Sequence, residues 1–152
     1  MTEHLTQLHQ LLSREQEETD AFVAVLEQEA QILTSGADPQ ALADVTQSKW
    51  YRANALNTLC VQRQALLDTM NPATDMDTLA AKHPDIGAVW NELKPSFERA
   101  RELNASNGVV IEHLRKSTEE AMAVLRAASG QATVYTANGR PTAASTRVLA
   151  TR

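Results

Sequence analysis

Aromatic side chains are scarce in this chain, with two Trp, two Tyr and two Phe among 152 residues. Strand cores draw on aromatic and β-branched residues, so a core of Leu, Ala, Val and Met points to helix–helix seams. Glycine and proline are also few, five of each, and most fall between periodic segments. The single cysteine, Cys60, excludes an internal disulfide and reads as a small buried hydrophobe within a helical pattern. No apolar run approaches the ~20 residues of a membrane-spanning helix. Thr2-Glu3-His4 lacks the basic and apolar stretches of a secretory signal, so a cytoplasmic location is expected.

Signatures of catalysis are missing as well. There is no Gly-rich phosphate loop, no G-x-G-x-x-G and no C-x-x-C pair. His4 and His9 are five residues apart, on diverging faces of a helix, and no glutamate has a histidine three residues later, as a di-iron bundle requires. The acids Glu15, Glu17, Glu18 and Asp20, and Glu119-Glu120, read as solvated helix faces. The expectation is a protein that is not an enzyme and holds no cofactor or metal.

What is present is helical periodicity. Leu5, Leu8, Leu12, Glu15, Thr19, Phe22, Leu26, Glu29 and Leu33 alternate by three and four residues, a heptad seam with polar members at Glu15, Thr19 and Glu29. Gly36 stands at a helix C-terminus, and Asp38-Pro39 supplies an N-cap followed by proline at the first helical position. A second stripe runs through Leu42, Val45, Lys49 or Trp50, Ala53, Leu56, Leu59 or Cys60, Arg63 and Leu66 or Leu67 until Asn71-Pro72. A short helix over 75–82 precedes a break at His83-Pro84-Asp85. A third long helix then carries Ile86, Trp90, Leu93, Phe97, Ala100, Leu103 or Asn104, Asn107, Ile111, Leu114, Ala121 and Leu125 inward. Pro95 and Gly108 are its weak points, and Ser129-Gly130 reads as its stop.

The pattern predicts an all-α protein, an elongated antiparallel three-helix bundle with coiled-coil-like packing and a C-terminal extension. The helices are expected at about 2–34, 39–70 and 85–128, giving a bundle over 1–130 and a tail over 131–152. Trp50-Tyr51-Arg52 and Trp90 are expected to pack where helices cross, with a partner-accepting groove as the alternative. Asn104 and Asn107, near the inner seam of the third helix, are expected to fix its register.

Charge divides the chain. Residues 1–126 hold all 19 acids and 11 of the 14 bases, a net of −8, whereas 127–152 hold three arginines and no acid. The acidic body argues against nucleic-acid binding, and the tail is too sparse for a DNA-binding arm. Within the tail, Val134-Tyr135 is a short apolar stretch and Asn138-Gly139 a turn signal. Thr142–Ala150 can form a short helix with Ala144, Val148 and Leu149 on one face. Such a segment is marginal alone and needs another surface.

Leu8, Leu11, Leu12 and Glu15, then Leu103-Asn104 with Asn107-Gly108 and Ile111, then Thr133-Val134-Tyr135 with Ala137-Asn138-Gly139-Arg140, together resemble the FlgN family of flagellar type III export chaperones. The resemblance spans nearly the whole chain. It implies a cytoplasmic chaperone that binds the C-terminal region of hook–filament junction proteins, prevents their premature assembly and delivers them to the export gate. It also implies that the end of the last helix and the tail, with Leu125 and Val134, contact cargo and that Tyr135 docks at the gate. Pro141–Arg152 matches no motif of the family, and Val148 and Leu149 are its apolar candidates. A monomer or weak dimer without direct membrane insertion is expected. The competing reading is a structural coiled-coil scaffold that polymerises through the tail; it would grow into larger species by itself.

Overall fold

The computed structural model describes residues 1–71 and 74–138, the last eight of these by their helical backbone. Four α-helices appear: α1 (Thr2–Thr34), α2 (Pro39–Met70), α3 (Met76–Lys82) and α4 (Pro84–Asn138). No strand occurs among the described residues. The chain divides into two compact units, Met1–Val110 and a second beginning at Ile111.

Local chemistry sets the helix ends. Gly36 takes the left-handed conformation, φ 99°, and Ala37 follows at φ 53°, while the amides of Ser35 and Ala37 both return to the Ile32 carbonyl. Asp38 Oδ2 accepts from the Ala41 amide at 2.9 Å, with Pro39 opening α2. Asp75 caps α3 in the same manner through the Thr78 amide, 2.7 Å away. Gly87 is required by close approach, because a Cβ there would lie 2.7 Å from the Ala80 carbonyl oxygen.

The polar α1 seam is buried as its spacing predicts: Leu8, Leu12, Glu15, Thr19, Leu26, Glu29 and Leu33 are all inside. Leu8 and Leu12 join Leu67 of α2, Met76 and Leu79 of α3, and Ile86 and Leu93 of α4 in one apolar cluster. Ion pairs tie the flanks: Glu29 to Lys49 at 3.1 Å, Glu18 to Arg52 at 3.0 Å and Glu15 to Arg63 at 2.8 Å. These partners run in opposite order along α1 and α2. Between α1 and α4 the order is the same, Gln16 meeting Ser96 and Leu26 meeting Asn107.

Five sequence expectations are corrected. Trp50 and Tyr51 are 72% and 67% exposed rather than packed at a crossing. Lys49 and Arg52 take the inward positions to reach Glu29 and Glu18, and at 100° per residue the two aromatics then point away. Ala53 is exposed for the same reason. Asn104 is exposed, since Asn107 occupies the inner place beside Glu29. Ile111, Ala121 and Leu125 are exposed rather than inward. Finally, Ser129-Gly130 does not stop α4, which continues to Asn138. One glycine costs a helix only ~1 kcal/mol, and its neighbours Ala127, Ala128, Gln131 and Ala132 favour continuation.

Candidate functional site

Two buried carboxylates organise the first unit. Glu15, fully buried, accepts from Arg63 Nε at 2.8 Å and lies 3.8 Å from Cys60 Sγ. Burial pushes the Glu15 carboxyl above the ordinary glutamate range, against the pull of the Arg63 guanidinium. Burial, then the Glu15 charge, raises the Cys60 thiol, so thiolate is disfavoured there. Arg63 also stacks over Trp90, its guanidinium carbon 5.2 Å from the ring centroid. Trp90 Nε1 donates to Asp77 at 2.8 Å, which with Lys94 holds the Asp77 carboxyl low.

Glu29 is the second centre. Its Oε1 receives Lys49 Nζ of α2 at 3.1 Å and Asn107 Nδ2 of α4 at 2.9 Å; the same Asn107 amide donates to the Leu26 carbonyl, also at 2.9 Å. Three helices therefore meet at one carboxylate. These contacts are structural, since every buried polar atom named here is directed at another helix. Among the described residues no group of three His, Cys, Asp or Glu converges as metal ligands do.

The accessible candidate is a face of α4. Ile86, Leu93, Ala100 and Asn107 repeat every seven residues and are buried. Leu114 continues this frame and is half-buried. The companion frame of Trp90 and Phe97 continues through Ile111, 39% exposed, to Leu125, 60% exposed, and Met122 beside them is 44% exposed. Seam residues of this kind, left open, form an apolar strip on the second unit. Of the partner-contact residues expected from sequence, Leu125 lies on this strip. Val134 and Tyr135 belong to the last turns of α4, where only the backbone is described; Val148 and Leu149 lie outside the described residues. The exposure of Ile111 and Met122 could not be read from sequence, because a buried seam residue and an exposed apolar one share the same spacing.

No described helix is long and apolar enough to cross a membrane. Comparison with curated proteins and with solved structures gives no match. A family model described as FlgN protein matches residues 1–143, which includes all four helices. That match covers far more than half of the sequence, and the chain belongs to the FlgN family, a family of flagellar export chaperones rather than of enzymes.

Proposed function

We propose that this protein binds the C-terminal region of hook–filament junction proteins in the cytoplasm, prevents their assembly and delivers them to the export gate. The supporting observation is the open seam of α4. Ile111, Met122 and Leu125 present an apolar strip at coiled-coil spacing, the complement of an amphipathic helix. Subunits that polymerise through terminal helices need such a helix covered before secretion. Leu125 and Val134 carry the cargo contact along α4, extended by Val148 and Leu149, and Tyr135 serves the gate. The reversed order of ion pairs between α1 and α2, with the common order between α1 and α4, supports an antiparallel three-helix arrangement for the first unit.

Titration calorimetry of the full chain with a junction-protein C-terminal fragment tests the reading. A saturable complex is expected, weakened about tenfold or more by Leu125→Asp, a loss of ~1.4 kcal/mol. The melting midpoint should not move, because Leu125 packs on little else. Unchanged affinity would remove the α4 strip from the cargo site.

A further inference from the structure

The two edges of the α4 strip differ in charge. Ile111, Leu114, Thr118, Met122 and Leu125 form its centre, at steps of three and four residues. Ser117, Ala121 and Ala128 border it on one side, and none of them is charged. Glu112, Arg115, Glu119 and Arg126 border it on the other. Along that charged edge the sign changes. Arg115 is held within the helix by Glu112 at 2.8 Å and by Glu119, and two carboxylates around one guanidinium leave a net of −1. Arg126 follows without an acidic partner among the described residues, and no acid occurs in the sequence after Glu120.

A helix laid on this strip is oriented by that gradient. Its C-terminal end carries the negative pole of the helix dipole, joined by a free carboxylate when the helix ends the chain. Glu112 and Glu119 repel such an end, whereas Arg126 and the acid-free sequence beyond it attract it. The positive N-terminal end is matched instead to the Glu112–Arg115–Glu119 group. Leu114 also extends the frame of Ile86, Leu93 and Asn107, which clusters with Leu8 and Leu12 of α1 and bonds to the Leu26 carbonyl. In the first unit α1 follows that frame in the same order as α4, Gln16 meeting Ser96 and Leu26 meeting Asn107. A helix with its C-terminal end toward Arg126 continues along α4 in the sense that α1 takes.

Resting on the cargo reading above, we propose that the bound cargo helix lies parallel to α4. Its acidic C-terminal end covers Leu125 and Arg126, and its uncharged edge follows Ser117, Ala121 and Ala128. The test is disulfide cross-linking of the full chain, in a Cys60→Ser background, to a junction-protein C-terminal fragment of about 18 residues, the length from Ile111 to Ala128. Ile111→Cys and Ala128→Cys stand about 26 Å apart along the helix. A fragment with cysteine at its last residue should cross-link to Ala128→Cys and not to Ile111→Cys; with cysteine at its first residue the pattern should reverse. In the otherwise unaltered chain, Arg126→Glu should weaken binding about fivefold at low salt and little at about 1 M salt. The opposite cross-linking pattern, or an affinity unmoved by Arg126→Glu, would overturn the orientation and leave the strip as the cargo site. If Leu125→Asp leaves affinity unchanged and neither cysteine cross-links, the strip is not the cargo site and the orientation falls with it.

Discussion

Glu15 and Asn107 show how single residues set the first unit. The Glu15 carboxyl titrates higher in the folded chain than in the unfolded one, so folding favours its protonated form. Its contribution to stability is therefore fully present below the unfolded value and is lost as pH rises through the raised folded value. Denaturation of wild type and Glu15→Gln across pH 4–8 should show the wild type gaining on the variant toward the acid end; a constant gap would contradict the buried pair. Asn107→Leu removes the donor to the Leu26 carbonyl and to Glu29, and should cost ~1–3 kcal/mol. If the amide also fixes register, the variant should show doubled NMR resonances along α4; a single set would confine Asn107 to a stability role. The polar seam was legible in sequence because Glu15, Thr19 and Glu29 interrupt an otherwise regular heptad. Trp50 was not, because two tryptophans in helical patterns look alike until the demands of Lys49 and Arg52 on the inner face are known.

Helices were legible where their ends are marked by chemistry. Asp38-Pro39 and Gly36 announce the α1–α2 turn, and the caps are found there. The end of α4 was misjudged because Ser129-Gly130 resembles a stop, yet proline, the stronger breaker, comes only at Pro141. The glycines themselves divide by surroundings. Gly108 has open space where a Cβ would go, so Gly108→Ala should stabilise by ~0.5–1 kcal/mol. Gly87 faces the Ala80 carbonyl oxygen at 2.7 Å, so Gly87→Ala should destabilise by separating α3 from the start of α4. Thermal melts that rank the two variants in the opposite order would overturn this account.

For the whole molecule, the residues that carry stability are separate from those proposed to bind a partner. The apolar cluster draws on α1, α2, α3 and the first turns of α4, all within Met1–Val110. A chain ending at Ala128 should therefore retain the melting midpoint of the full protein while losing cargo affinity. Retained affinity would place the contact on Ile111–Leu125 alone. Tyr135→Ala, by contrast, should bind cargo normally and fail in export. This division was readable from charge, since all acids lie before Arg126 and none follows. The exposed strip was not readable as such, because Ile111 and Leu125 obey the same spacing as Trp90 and Phe97.

The two glutamates sunk into the α1 seam also limit which helices α1 can accept. Each is matched by a cation from α2, and Glu29 also by an amide from α4. A foreign leucine-spaced helix laid along α1 would have to offer positive groups at both heights or strand a carboxylate in its interface, at a cost of several kcal/mol. Two copies of α1 in register would set like charges together. While still emerging or transiently open, the chain thereby carries its own proofreading against helices that share its heptads. That safeguard suits a member of a chaperone family.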